Sequence, residues 1–122
     1  MNLLQMTARL LDRISKPKTA YAHCDIPCGI YDPHLAQLAA HTVIMMTQLI
    51  EQRKEDAHAV ARYAKTKEEH AELCKQEIRI IWGDYFKPEH IQKYPQLHEM
   101  TYKIMKAASK ARQEVSIGRR AP

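Results

Sequence analysis

The stretch that runs from Ala57 to Tyr85, AHAVARYAKTKEEHAELCKQEIRIIWGDY, predicts one long amphipathic helix. Its apolar side chains recur at alternating steps of three and four residues, at positions 57, 60, 64, 71, 74, 78, 81 and 85, with a polar exception at Lys67. A repeat that averages 3.5 residues places these side chains on one face of a helix, and that face has to be covered by other helices. The stretch therefore predicts a helical bundle.

Two more stretches keep the same spacing. Asp32 and Pro33 form a helix start, with an aspartate as N-cap and a proline at the first helical position. The apolar positions that follow are Leu35, Leu38, Thr42, Met45 and Leu49, and a third run after Pro95 contains Leu97, Met100, Ile104, Ala107 and Ala111. No alternating run rich in Val, Ile or Thr indicates strands. The predicted fold is all-α, an up-and-down bundle with near-parallel helix axes.

Length and charge narrow the classes of function. A chain of 122 residues with 45% hydrophobic and 27% charged residues is typical of one globular domain. The net charge of +5 is concentrated in residues 1–22, where four basic side chains face a single aspartate. The remaining chain lacks a concentrated basic face, which argues against nucleic-acid binding. No apolar run approaches the length of a membrane span, so we expect no membrane association.

Residues 1–22 predict a removable leader. Residues 3–14 carry a short apolar helical face and end at the breaker Lys16-Pro17-Lys18, although a packing helix or a surface anchor fits the same pattern. The run Ala20-Tyr21-Ala22 has the small-x-small form of a signal-peptidase site, but no apolar core precedes it. We therefore expect a cytoplasmic protein.

Residues 23–33, HCDIPCGIYDP, indicate a compact metal hook. Cys24 and Cys28 supply two soft thiolates four residues apart, His23 stands directly before them, and Pro27 and Gly29 let the chain bend around one ion. Structural zinc sites use two paired motifs, and the only other cysteine, Cys74, lies far downstream on an apolar helical face. A dithiol kept for metal needs a reducing compartment, which again favours the cytoplasm.

The hook resembles that of the nickel superoxide dismutase family, whose pattern H-C-x-x-P-C-G-x-Y-x-P is matched at every fixed position. A second segment with the same resemblance is WGDYFKP at 82–88, followed by KYP at 93–95 and Leu97-His98. The similarity covers roughly residues 23–112. It implies an enzyme that disproportionates superoxide to oxygen and hydrogen peroxide by cycling a nickel ion between Ni(III) and Ni(II).

The resemblance also implies the roles of individual residues. The nickel ligands would be the α-amine and imidazole of His23, the amide nitrogen and thiolate of Cys24, and the thiolate of Cys28. A free amine at His23 requires a protease that removes residues 1–22 and leaves 23–122 as the functional domain. Tyr31 would stand over the open face of the metal with Tyr85 beside it, and Lys87 would attract the anion. Core packing for Tyr85, and solubility alone for Lys87, remain alternatives.

Three departures from the family follow from the same alignment. The family forms four-helix bundles, whereas residues 113–122 are too short for a full fourth helix, so we expect the leader or a partner subunit to fill the groove. The family's glutamate and arginine that position the axial histidine fall on Ala39 and His70.

The resemblance implies a homohexamer, and a short chain with an uncovered apolar face favours assembly.

Two other classes of function use the same residues. A nickel carrier or sensor would bind metal at His23, Cys24 and Cys28 without turnover, and a thiol redox module would close a disulfide between the two cysteines. For the remaining histidines we predict surface or structural roles; these are His34, His41, His58, His90 and His98.

Overall fold

The structure, a computed structural model, describes residues 31–115. Within that range it is all-α, as predicted, and contains no strand. The elements are α1 (His34–Gln52), α2 (Ala57–Ile80), a π-helical turn (Ile81–Tyr85), α3 (Pro88–Lys93) and α4 (Leu97–Gln113). The predicted leader, and the hook as far as residue 30, lie outside the described residues. None of the helices between residues 31 and 115 is both long and apolar enough to cross a bilayer.

The helix starts follow from side chains that accept backbone hydrogen bonds. The Asp32 carboxylate accepts the N–H of His34 at 2.8 Å, which caps α1 as predicted although the helix itself begins after Pro33. Asp56 caps α2 in the same way, accepting from the Ala59 N–H at 3.0 Å. The short helix α3 was not predicted from the sequence. It begins at Pro88, where a proline is tolerated because no hydrogen-bonded N–H is needed.

Contacts along α2 show that both long neighbours run antiparallel to it. The start of α1, at Ala36 and Ala39, packs against Cys74 near the end of α2. On the other side, α4 runs back along α2. Their contacts join Trp82 to His98 (3.0 Å), Lys75 to Ser109 (3.0 Å), Glu72 to Arg112 (2.8 Å) and Lys67 to Glu114 (2.8 Å). The helix predicted by residues 57–85 is therefore the centre of an up-and-down bundle.

The polar exception on that helix, Lys67, is buried with only 2% of its surface exposed. Its ammonium group donates to the backbone carbonyl of Glu114 at 2.8 Å, just after the end of α4. Buried cations require such partners. The bond therefore fixes the last turn of α4 to the first half of α2.

The buried face of α1 differs from the predicted one. The buried residues are Ala36, Ala39, Val43, Thr47 and Ile50. The predicted positions Leu35, Leu38 and Met45 are 38%, 53% and 51% exposed. Small side chains let α1 approach α2 closely, and the larger apolar residues beside them are left on a flank of the interface. The prediction was wrong because it weighted large apolar residues over alanine.

Helix α4 contributes no fully buried side chain to the described part of the chain. Its apolar face instead lines two clefts, one against residues 31–33 and the end of α2 with its π-helical turn, and one against α1 and α2. One, of about 400 Å³, is lined in part by Tyr31, Tyr85 and Met100, and the other, of about 250 Å³, is lined in part by Ile44 and Ala107. That the leader or a partner subunit fills a groove beside the last helix stays a prediction, because the leader lies outside the described residues.

Candidate metal centre

Two of the predicted site residues, Tyr31 and Tyr85, are brought into contact. Their ring centroids are 5.3 Å apart and the rings are tilted by 41°, a favourable arrangement for an aromatic pair. Tyr31 is half-buried, whereas Tyr85 is 44% exposed. A residue exposed to this extent is not fully buried in the core, which was the alternative role for Tyr85. The pair stands where the chain leaves the hook and enters the bundle.

A π-helical turn sets the position of Tyr85. The N–H of Phe86 donates to the carbonyl of Ile81, five residues back, at 3.2 Å. A π-turn holds one more residue than an α-helical turn, so the chain beyond it is rotated about the helix axis. The single helix predicted over 57–85 thus ends as an α-helix at Ile80. Beyond the turn, Tyr85 lines one apolar cleft together with Tyr31, Ile78 and Ile81.

An aromatic cluster surrounds Tyr85. The ring of His90 stacks on it with centroids 5.3 Å apart and planes 15° apart. Phe86 contacts both rings, at 5.6 Å from Tyr85 and 6.1 Å from His90. The spacing of Tyr85 and His90 across a proline, Y-F-K-P-E-H, is a sequence signal for this cluster that the apolar repeat does not contain.

His98 also contacts an aromatic ring. Its Nδ1 accepts the indole N–H of Trp82 at 3.0 Å, and the two rings meet edge to face. His90 and His98 therefore have specific structural partners.

Lys87 lies between the π-turn and α3. Its backbone N–H donates to Nδ1 of His90 at 2.9 Å, which fixes the main chain at this point. The side chain is exposed, and within residues 31–115 no carboxylate forms an ion pair with it. Lys87 follows Tyr85 by two residues in the sequence, and its attraction of a small anion stays a prediction.

The predicted metal ligands His23, Cys24 and Cys28 lie outside the described residues. Across residues 31–115, no three His, Cys, Asp or Glu side chains converge in a way that could hold a metal ion. Cys74 is buried, and burial raises the pKa of its thiol, which keeps it protonated and a poor metal donor. The helical part of the chain thus offers no competing site of this kind.

The donor chemistry of the hook fits nickel. Two thiolates with nitrogen donors from the adjacent histidine and backbone match the square-planar preference of Ni(II). Tyr31 follows Cys28 by three residues, so the proposed donors lie close in the sequence to the tyrosine pair.

The two altered family positions lie on the facing helices α1 and α2. Ala39, 1% exposed, is part of the core and has no polar side-chain atom. His70 is half-buried, and its Nδ1 donates to the carbonyl of Thr66 at 2.8 Å, because a carbonyl oxygen can only accept. Only Nε2 of His70 is therefore left to bond another group.

Comparison with known proteins agrees with the resemblance seen in the sequence. A family model described as nickel-containing superoxide dismutase matches residues 18–120. The superoxide dismutase (Ni) of Streptomyces coelicolor is 41% identical over 104 residues, which cover 84% of this chain and 79% of that protein. The superoxide dismutase (Ni) of Streptomyces seoulensis is 39% identical over the same length.

Solved structures agree as well. A native nickel superoxide dismutase structure superposes with a TM-score of 0.73 at 39% identity, covering 77% of this chain and 80% of that chain. A structure with nickel ligation corresponding to the oxidised state gives the same TM-score at 38% identity and the same coverage. With most of its length matched in both sequence and structure, the chain belongs to the nickel-containing superoxide dismutase family.

Proposed function

We propose that this chain is a nickel-dependent superoxide dismutase, which converts two superoxide ions and two protons into one molecule of oxygen and one of hydrogen peroxide. Membership of the family supports the reaction, since the curated relatives are named for it. The observation that carries the proposal is the contact between Tyr31 and Tyr85 at 5.3 Å. This contact joins Tyr31, at the end of the hook pattern, to Tyr85, in the segment at 82–88 that also resembles the family.

The nickel ligands in this proposal are His23, Cys24 and Cys28. The α-amine and imidazole of His23, the amide nitrogen and thiolate of Cys24 and the thiolate of Cys28 would hold the metal. When bound, nickel supplies one-electron cycling between its divalent and trivalent states. Cys28 precedes Tyr31 by three residues, and three residues of chain span about 11 Å at most. The metal and the tyrosine pair are therefore neighbours.

Tyr31 and Tyr85 control access to this site. Two rings in contact leave room for a small anion and water and exclude larger reductants. Their hydroxyl groups order the water that delivers protons to the peroxide product. Lys87 attracts superoxide through its exposed positive charge. These residues attract superoxide, order water and exclude larger reductants, and electron transfer would take place at the metal.

Removal of residues 1–22 is part of the proposal. An internal His23 has no free amine, whereas a first-residue His23 closes a five-membered chelate from its amine to the Cys24 amide nitrogen. We therefore propose that a protease cuts between Ala22 and His23, and that residues 23–122 form the active domain.

The test compares three forms of the protein at equal nickel content. They are the full chain, the chain that begins at His23, and that shorter chain with one alanine added before His23. We expect rapid superoxide decay, measured by pulse radiolysis, only for the form that begins at His23. Intact mass and N-terminal sequencing of protein from its native cell should show the same end.

The outcomes separate the candidate functions. Equal rates for all three forms would contradict amine ligation. Stoichiometric nickel without turnover in the form that begins at His23 would instead identify a carrier or sensor. A disulfide between Cys24 and Cys28 with no nickel bound would identify a thiol redox module.

Assembly and location complete the proposal. Exposed apolar side chains on α1 and α4, including Leu38, Ile44, Met45 and Met100, leave a face that a partner subunit would cover. We propose a homohexamer in the reducing cytoplasm, where the hook thiols stay reduced, without membrane or nucleic-acid partners. A stable monomer in light scattering at micromolar concentration would contradict the assembly.

A further inference from the structure

His90 contacts more of the candidate site than any role as a surface residue requires. Its ring lies flat against Tyr85, with centroids 5.3 Å apart and planes 15° apart. Its Nδ1 accepts the backbone N–H of Lys87 at 2.9 Å. One side chain therefore touches two of the three residues that the sequence assigned to catalysis, and the third, Tyr31, is in contact with Tyr85.

The hydrogen bond fixes the plane of the His90 ring. A backbone N–H can only donate, so Nδ1 carries no hydrogen and the neutral ring has its hydrogen on Nε2. Phe86 packs against the ring at 67°, with centroids 6.1 Å apart. The contacts with Phe86 and Tyr85 restrain the ring by packing as well, so a phenyl ring at this place would keep the orientation that the stacked Tyr85 ring shares.

We propose that His90 is the positioning residue of the tyrosine gate, defined as Tyr31 and Tyr85. Its stacked ring orients Tyr85, and Tyr85 in turn orients Tyr31. The importance of the gate for turnover rests on the proposed function. The positioning itself concerns only residues of this chain and is measurable without metal.

A purely structural role for His90, as a cap of α3, can be distinguished by substitution from the positioning role. As the third residue of α3, His90 accepts the N–H of the residue before the helix, as a glutamine does in a capping box. His90→Gln keeps an acceptor at this place and removes the ring. His90→Phe keeps the ring and removes the acceptor. A capping role predicts that the glutamine variant behaves as wild type, whereas positioning by the stacked ring predicts that the phenylalanine variant does.

The first measurement uses the full chain before nickel is added. Tyrosine rings are isotope-labelled, and the ring-proton shifts of Tyr31 and Tyr85 are recorded by NMR. An aromatic ring stacked face to face moves its neighbour's protons upfield, so we expect this shift in the wild type and in H90F and its loss at Tyr85 in H90Q. The Tyr31 signals should move in H90Q as well. His58, an exposed residue near the start of α2, provides the control H58Q, which should leave both sets of signals unchanged.

The second measurement is the activity of nickel-loaded protein in the form that begins at His23. We expect H90Q to lower kcat/KM by about fivefold, a factor of the size that one aromatic pair is worth, with nickel content unchanged. H90F and H58Q should stay close to wild type. Wild-type tyrosine signals in H90Q, or equal loss of them in H90F and H90Q, would overturn positioning by the stacked ring. A wild-type protein that holds nickel but has no activity would overturn the proposed function, and the NMR comparison would still decide the role of His90.

Discussion

The seam between α1 and α2 and the aromatic cluster beyond α2 are packed in opposite ways. At the seam, the small side chains of Ala36, Ala39 and Cys74 are almost fully buried, and the helices touch over much of their length. Around Tyr85, large rings meet at centroid distances of 5 to 6 Å and remain partly exposed. Close packing of the seam supplies stability, whereas the open cluster supplies groups that can meet a small solute. Substitutions should therefore affect one property without the other.

Loss of either hook thiolate should have the largest effect. Cys24→Ser or Cys28→Ser should abolish nickel retention and dismutase activity, because a hydroxyl is a poor donor to oxidised nickel. The melting temperature of the metal-free protein should not change. Nickel content, superoxide decay and circular dichroism test this on the same samples.

The matched control is Cys74→Ala, at the seam. It should keep nickel and activity per nickel but melt at a lower temperature, since a buried side chain is shortened. Wild-type activity in either hook variant would refute nickel–thiolate ligation.

Overfilling the seam should have the next largest effect. Ala39 is 1% exposed, so Ala39→Leu should destabilise the fold by about 2 kcal/mol, which lowers the melting temperature of a domain of this size by roughly 10 °C. Thermal unfolding monitored by circular dichroism measures the shift.

The control uses the same substitution on α4. Ala107 lies on the exposed groove, and Ala107→Leu should change stability by less than about 0.5 kcal/mol. Equal destabilisation by both variants would show that the α4 face is as tightly covered as the seam.

Charge reversal beside the tyrosine pair should have a smaller, kinetic effect. Lys87→Glu should lower the second-order rate with superoxide by about tenfold at low ionic strength, because it replaces attraction by repulsion. Added salt should reduce the difference in rate between the variant and the wild type, because it screens the charges. Lys65 lies on α2, 20 residues before Tyr85 and about 30 Å from it along the helix. Lys65→Glu makes the same change in net charge there and should leave the rate close to wild type. Equal losses in the two variants would assign the effect to overall charge.

The smallest effect should be a dependence of stability on pH. Burial raises the pKa of the Cys74 thiol, so the folded protein keeps this proton at a pH where the unfolded chain has lost it. The unfolded state then binds fewer protons, and stability falls as pH rises past the ordinary thiol pKa. The free energy of unfolding should therefore decrease between about pH 7.5 and pH 10 more in the wild type than in Cys74→Ala. Equal decreases in the free energy of unfolding of the two proteins would contradict a raised pKa of the Cys74 thiol as the cause.

The family and the helices were predictable because both leave fixed spacings in the sequence. The hook pattern at 23–33 is local and needs no tertiary information, and the structure confirms helices in all three periodic stretches. The metal ligands stay a prediction, since they lie outside the described residues.

The failures have local physical causes. The buried face of α1 was misplaced by one residue, because Ala36 and Ala39 carry little apolar area yet allow the closest approach of the helices. The π-turn leaves no signal in the apolar repeat, which continues through Ile81 and Tyr85 as if the helix were regular. The contacts of His90 depend on that turn, so periodicity could not reveal them.

The bond from Lys67 to Glu114 determines where foreign sequence can be attached to this protein. It fastens the end of α4 to a point on α2 that lies 18 residues before Tyr85, about 25 Å away along the helix axis. An affinity tag or fluorescent reporter placed after residue 115 would thus leave from the far end of the bundle, away from the tyrosine pair. In the form proposed to begin at His23, a tag placed before that residue would block the amine proposed as a nickel ligand. Carboxyl-terminal fusions avoid both the tyrosine pair and that amine.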